Sequence, residues 1–464
     1  MNIRAPTDST SCSAGVPRRI SVVFATLSLI AAACSGAAMT AAPTEPSPMA
    51  SVTPSPPRET PGSSSTAAPT SESVWRSSSI PPMLVPGISF PVAVTAAESE
   101  LVTVGGRAFR DNETPSGGIA GVWRSVDGLT WEPATANANL AVGDVIPIEG
   151  TFGGMVDVAY GPAGFVAVGI TLESFELTER MGGAWYSKDG RDWIRSHLPM
   201  ESQARPTSVT WNGSHYVAVG VVEAKDAPRA TVWLSPDGRS WRVADGTVFD
   251  VGNYIETMHS HVWGGPTDVT SATDGVVYAI GQMCRGTAGD PTLSDQVRGD
   301  TNVTCLQQLW RSADGEAWTT IQFEEAVTAS WSASVAASGG RVVAVGGPRP
   351  EGSGELPDAP AHVLIGTEAG WRVIELAGVP RLERVVAFGQ GFVAAAIADA
   401  RISLWESPDG VNWSVLSGVP QPAGVTHLNN VDLAVFGDSV VLVGTAWFSS
   451  EIVIGGFAIV WSRR

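Results

Sequence analysis

Basic residues are scarce: 28 Lys and Arg face 46 Asp and Glu, giving a formal net charge of −18 over 464 residues. A nucleic-acid binder needs a basic footprint to displace counterions, so this balance argues against nucleic acid as a partner. Charged residues of either sign make up only 16% of the chain, and no segment carries sustained helical periodicity. Helical bundles and alternating α/β folds are thereby disfavoured. What is abundant is glycine, with 51 copies, and tryptophan, with 17, a mixture that suits short strands joined by tight turns.

The longest apolar stretch near the start, Ile20–Ala33, is too short to cross a bilayer comfortably and follows Arg18 and Arg19. It ends in Ala31, Ala32, Ala33 and Cys34, followed by Ser35 and Gly36. This resembles the bacterial lipoprotein signal, in which small residues precede a cysteine that becomes lipid-modified; Ala31 departs from it where leucine is usual. The resemblance implies a signal peptide over residues 1–33, lipidation of Cys34, and a mature protein held at the outer face of the cytoplasmic membrane or cell surface by that anchor alone. Residues 34–72 are almost wholly Pro, Ser, Thr and Ala. Such a segment buries too little surface to offset the entropy of ordering, and it reads as a flexible tether.

From residue 73 to 464 the chain is repetitive. Five segments, Trp123–Trp131, Trp185–Trp193, Trp233–Trp241, Trp310–Trp318 and Trp405–Trp413, all read Trp-x-Ser-x-Asp-Gly-x-x-Trp. Asp-Gly between apolar runs signals a hairpin, because glycine tolerates the positive φ of the turn. The Asp carboxylate can accept backbone N–H groups of its own turn, and the serine hydroxyl can add another bond. A second phrase alternates with the first, a short apolar strand ending in a small residue: Leu101–Gly105, Phe165–Gly169, Tyr216–Gly220, Val277–Gly281, Val342–Gly346, Phe392–Ala396 and Val440–Gly444. Seven such units, each roughly one four-stranded blade in length, predict an all-β, seven-bladed β-propeller. In the fifth unit Val363–Trp371 keeps the second tryptophan but loses the Ser-x-Asp-Gly turn, and the seventh ends at Ala458–Trp461 without a fourth strand. Ser73–Pro81 resembles the fourth strands elsewhere, such as Trp193–Pro199, so the N-terminal strand is expected to close the last blade.

The phrase Ser-x-Asp-Gly-x-x-Trp resembles the Asp-box, or bacterial neuraminidase repeat, in a form shortened by one residue between Asp and Gly. That resemblance covers nearly all of Ser73–Arg464 and implies a propeller, but the repeat recurs in sialidases, sortilin-type receptors, cellulose-active propellers and photosystem II assembly factors, so it does not select a function. It implies a structural role for Asp127, Asp189, Asp237, Asp314 and Asp409.

Functional residues are expected on the longer and more variable rim, in the stretches Gly106–Ala120, Ile170–Gly183, Val221–Ala230, Thr247–Pro266 and Gln282–Gln308. The candidates for a binding face are Arg107, Arg110, Arg180, Arg229, Glu256, His259, His261 and Arg285, with Asp111, Glu113, Glu173, Glu176 and Arg298 nearby. A sialidase would need an arginine cluster, a tyrosine activated by a glutamate, and an acid. Tyr254 lies close to Glu256, but the Arg-Ile-Pro type motif is not apparent, while Tyr216 and Tyr278 fall in apolar strands and read as core. The favoured reading is a binding or scaffold module for a protein or glycan, with a sialidase-like glycosidase using Tyr254 and Glu256 as the alternative. His259 and His261 could face one side of an extended segment, as a metal pair or as an ordinary polar loop. No metal or cofactor is assigned, and a monomer is expected. Cys284 and Cys305 bracket the longest stretch and, in an exported protein, predict a disulfide.

Overall fold

The alternation of apolar run, tight turn and Trp-bounded hairpin becomes a four-stranded antiparallel sheet seven times over. The computed structural model describes residues 73–81, 88–111, 114–134, 154–172, 180–199, 204–223, 228–244, 260–287, 301–322, 334–346, 361–367, 370–379, 381–398, 400–448 and 453–463. Among these residues there are 28 strands and no helix.

Blade 1 comprises β2 (Ile88–Ala96), β3 (Leu101–Asp111), β4 (Thr114–Ser125) and β5 (Glu132–Pro133), and blade 2 comprises β6 (Gly154–Gly161), β7 (Gly164–Leu172), β8 (Arg180–Ser187) and β9 (Ile194–His197). Blade 3 follows with β10 (Ala204–Trp211), β11 (Tyr216–Glu223), β12 (Pro228–Ser235) and β13 (Arg242–Val243). Blade 4 has β14 (Ser260–Ser271), β15 (Val277–Thr287), β16 (Thr301–Ser312) and β17 (Trp318–Ile321). Blade 5 has β18 (Ser334–Ser338), β19 (Arg341–Gly346), β20 (Ala361–Thr367) and β21 (Gly370–Leu376). Blade 6 has β22 (Leu382–Phe388), β23 (Gly391–Ala398), β24 (Arg401–Ser407) and β25 (Ser414–Leu416). Blade 7 takes β26 (Val425–Phe436), β27 (Ser439–Phe448) and β28 (Val453–Arg463) from the end of the chain and β1 (Ser73–Ile80) from the start of the propeller. The first strands of successive blades touch in order around the ring, and β26 touches β2 to complete it.

The apolar run of each second strand is buried because both of its faces are covered by neighbouring blades. Val102, Val104, Val166, Val168, Val217, Val219, Val343 and Val441 have no exposed surface. One apolar cluster fills each of the seven seams between blades. The small residue ending these strands has a steric cause. The first strand carries a bulge at Pro91/Ala93, Met155/Asp157, Pro206/Ser208 and Pro266/Asp268. That bulge swings a first-strand carbonyl over Gly105, Gly169, Gly220 and Gly281, where any Cβ would overlap it.

The stretches Gly106–Ala120 and Gln282–Gln308, expected to be variable connections, begin and end in strand. β3 and β4 pair out to Asp111 and Thr114, and β15 and β16 pair out to Thr287 and Thr301. Backbone ladder bonds continue beyond the point where the apolar face ends, and polar side chains do not stop them.

Closure by the N-terminal strand rests on equivalent contacts, not on register alone. All eight residues of β1 pair with β28, from Ser73 opposite Arg463 to Ile80 opposite Gly456. Pro81 O then accepts the Trp123 indole N–H of blade 1 at 2.9 Å, just as Pro199 O, following β9, accepts that of Trp233 at 3.0 Å. Trp75 stacks obliquely on Trp461 with centroids 6.2 Å apart and donates its Nε1–H to Ser417 O of blade 6. Trp75→Ala should therefore lower stability by about 2–3 kcal/mol in urea unfolding, as expected for truncating a half-buried aromatic. An unchanged midpoint would mean that the ring does not depend on this closing strand.

Candidate functional site

Seven positions, one per blade, lie at the same register on the innermost strands: Ala93, Asp157, Ser208, Asp268, Ser334, Arg384 and Asp432. Each pairs with the residue just before the small residue of the second strand, for example Asp157 with Val168 and Ser208 with Val219. An axial cavity of about 260 Å³ is lined by residues of all seven innermost strands, including both charged and hydroxylic members of this set.

The innermost strands form no ladder with one another, so the N–H after each ring position needs another acceptor. The side chain of one blade supplies it to the next. Asp157 Oδ2 accepts from Val209 at 2.7 Å, Ser208 Oγ from Val269 at 3.2 Å, Asp268 Oδ2 from Val335 at 2.9 Å and Ser334 Oγ from Val385 at 3.3 Å. Asp432 Oδ2 accepts from Val94 at 2.7 Å and so carries the pattern across the chain's closure. Ala93 and Arg384 have no side-chain acceptor to give. The blades that follow them carry Asp157 and Asp432, which accept the N–H of their own next residues, Val158 and Leu433. All seven N–H groups are thus satisfied.

Charge at the axis is handled by proximity and by protons. Arg384 Nε lies 3.4 Å from Asp432 Oδ1, and its Nη1 lies 4.0 Å from Asp268 Oδ2. Burial works against the guanidinium charge, but Asp432, Asp268 and Asp157 outweigh it and raise the Arg384 pKa. Burial, together with the charges of Asp268 and Asp432, pushes the Asp157 carboxyl up to about 7. Burial pushes Asp432 up to about 6, with Arg384 opposing the rise. Ser208 Oγ sits 2.6 Å from Asp157 Oδ2 and 3.0 Å from Asp268 Oδ1. One hydroxyl proton can serve only one of them, and a proton on Asp157 satisfies the other contact.

The five Ser-x-Asp-Gly turns are equally committed. In four of them the serine Oγ accepts the glycine N–H at 2.8 Å, and in all five the Asp Oδ1 accepts the next two N–H groups, as at Val411 and Asn412 for Asp409. Burial opposes ionisation of Asp127, Asp237 and Asp409, and the N–H donors overcome it. For Asp189 and Asp314 those donors are the largest influence. All five carboxyls lie below the usual range, Asp409 at about 2. The second tryptophan seals each turn by donating its indole N–H to the turn glycine's carbonyl at 2.9–3.3 Å.

The residues expected on the binding face fall at one end of blades 1–4. Arg107 and Arg110 lie on β3, Arg180 begins β8, and Arg229 lies on β12 and is exposed. His261 on β14 and Arg285 on β15 pair with each other's neighbours, Gly286 and Val262. Tyr254, Glu256, His259 and Cys34 lie outside the described residues. Cys284 and Cys305 face each other directly across β15 and β16. Tyr216 is core, whereas Tyr278 is only half-buried and lines a cleft.

No family model matches this chain, and no curated protein matches it. Among solved structures it is similar to Trypanosoma rangeli sialidase in complex with sialic acid, at 12% identity and a TM-score of 0.43 over 84% of this chain and 59% of that one. It is also similar to a polysaccharide lyase, at 9% identity and a TM-score of 0.49 over 80% of this chain and 90% of that one. The β-propeller domain of the trilobed protease from Pyrococcus furiosus matches at 9% identity and a TM-score of 0.40, covering 80% of this chain and 95% of that one. The chain spans 53–60% of the length of the Trypanosoma rangeli sialidases it matches. The sites described above rest on this chain's own residues.

The axial ring makes stability depend on pH in a defined direction. The native state keeps a proton on Asp157 that the unfolded chain, with carboxyls near 4, has released, so this group's contribution declines as pH rises from about 4 to about 7. Asp157→Asn keeps an acceptor for Val209 and removes the titration. Urea midpoints at pH 5 and pH 7.5 should differ less in the variant than in the parent; an equal difference would overturn the assignment.

Proposed function

We propose that this protein is an exported propeller, anchored through lipidated Cys34, which binds a protein or glycan and does not turn it over. The carrying observation is that the acidic groups converging at the axis are committed to backbone N–H groups of neighbouring blades and to Arg384. A retaining or inverting hydrolase needs two carboxyls, or a carboxyl and a nucleophile, free to face a substrate. The turn carboxyls are likewise engaged within their own hairpins, in keeping with the Ser-x-Asp-Gly phrase as a shortened Asp-box. A rigid ring with variable connections along one rim is a suitable scaffold for recognition. The Arg107, Arg110, Arg180, Arg229, His261 and Arg285 positions along blades 1–4, set among acidic neighbours such as Asp111, Glu113, Glu173 and Glu176, give that rim charged groups of both signs for recognition.

A panel of fluorogenic sialosides should show no turnover above the buffer rate. Turnover that disappears in Tyr254→Phe or Glu256→Gln would replace this reading with the sialidase-like one. The export reading also predicts covalent chemistry. Mass spectrometry of protein extracted from membranes should find a diacylglyceryl group on Cys34 and a bond between Cys284 and Cys305, which are register partners on adjacent antiparallel strands. Peptides with an unmodified Cys34 and free thiols at both other positions would sink it.

A further inference from the structure

Each Ser-x-Asp-Gly turn also seals a seam. A Cβ on its glycine would strike the second and third strands of the preceding blade: Val441 and Val460 at Gly128, Val102 and Arg124 at Gly190, Val166 and Tyr186 at Gly238, Val217 and Leu234 at Gly315, and Val343 and Ile365 at Gly410. In every case these two neighbours are direct cross-strand partners, as Val217 is of Leu234. The turn therefore plugs a groove at a fixed place on the blade before it.

Two seams lack a Ser-x-Asp-Gly turn in the sequence of the following blade. At the seam between blades 6 and 7 the equivalent pair is Val393 and Glu406. There Arg463 forms an ion pair with Glu406 and lies over the Phe388 and Trp461 rings, so the end of the chain covers the position. At the seam between blades 4 and 5 the equivalent pair is Tyr278 and Arg311. Gly366 stands where the serine belongs, Thr367 pairs directly with Gly370, and the αL turn glycine is missing. This seam has the smallest apolar cluster of the seven. A cleft of about 380 Å³ opens there, within the size range of small-molecule sites.

The lining of that cleft is chemically particular. Tyr278 and Trp371 form an aromatic corner, with centroids 6.2 Å apart and planes inclined at 56°. Gly366, lacking a Cβ, lets the Trp371 indole lie against the strand. Arg311 and Arg341 line the cleft, and neither guanidinium is in an ion pair within the described residues. Asp274 and Ser338 add polar groups at the two adjoining turns. Aromatic faces accept the C–H faces of a pyranose, guanidinium groups bind carboxylates in fork geometry, and Asp and Ser side chains suit sugar hydroxyls.

We infer that the unplugged seam between blades 4 and 5 is a binding site for a sugar residue that carries a carboxylate. The inference rests on the binding reading above and places recognition on the rim of the Ser-x-Asp-Gly turns, apart from the rim of blades 1–4 that carries Arg229 and Arg285. The test is titration calorimetry of the full chain against a panel of carboxylated oligosaccharides (oligogalacturonate, oligoglucuronate and sialyllactose), with their methyl esters as neutral controls. At least one acid should bind, with its ester tenfold or more weaker. The double variant Arg311→Ala/Arg341→Ala, altering only solvent-reaching cations, should weaken binding at least tenfold. Grafting the Ser312–Ala317 turn sequence onto blade 5 in place of residues 366–370 should abolish it, with the circular dichroism and melting of the fold retained. No binding to any acid, equal binding of the esters, or affinity unchanged by the arginine pair would overturn the inference. Binding that survives both changes but is lost in Arg229→Ala/Arg285→Ala would overturn the inference and move the site to the opposite rim, leaving the general binding reading intact.

Discussion

At the axis of a propeller the first strands of all blades converge, and each presents a backbone edge that no partner strand can cover. This protein meets that constraint with side chains. The hydrogen bond from one blade's ring residue to the next blade's N–H recurs from blade to blade, and the exceptions explain the choice of residue. Serine suffices where a neighbour also supplies an acceptor, as at Ser208 and Ser334. Aspartate stands after Ala93 and after Arg384, where a second acceptor oxygen is needed for the local N–H. Three carboxyls in one confined ring would repel each other. Arg384 at the axis and the proton retained by Asp157 limit that repulsion without removing any backbone acceptor.

The architecture was legible in the sequence because two kinds of repeat carry it: the Trp-bounded turns, and the apolar runs of the second strands, which a doubly covered sheet position demands. Closure could be read from Ile80 and Pro81, whose match to Leu198 and Pro199 reflects the same burial and the same carbonyl acceptor. The axial ring was not singled out, although its signal is present. Asp157, Ser208, Ser334, Arg384 and Asp432 each precede Val or Leu and lie eight residues before the first residue of the following apolar phrase (Phe165, Tyr216, Val342, Phe392 and Val440), while Asp268 lies nine before Val277. Single polar residues within apolar strands look like ordinary alternation until the register aligns them. Tyr278 misled for a related reason. It occupies a strand whose other members are core, and only the missing turn of the following blade leaves its ring uncovered.

In a repeat protein the scaffold is what stays constant, so departures from the repeat carry the specific information. The propeller contains two departures of the same kind, and the fold treats them differently. At blade 7 the missing hairpin is a topological consequence of closure, because the fourth strand arrives from the other end of the chain. The vacancy on blade 6 is refilled by Arg463, which matches the acidic Glu406 in charge and covers the neighbouring aromatic rings.

At blade 5 nothing in the topology requires a shortened hairpin, since β20 and β21 are consecutive. Five other blades show that a complete turn fits this position and packs on a second-strand valine and its cross-strand partner. The pair beneath the blade 5 position has changed in step: the second-strand valine common to the other five pairs is Tyr278 here, beside Arg311. Had the turn been lost by drift alone, the valine shared by the other pairs would have been kept and the seam would have been weakened. Residues suited to contact with water and with a polar ligand mark an opening that the sequence accommodates on both of its walls.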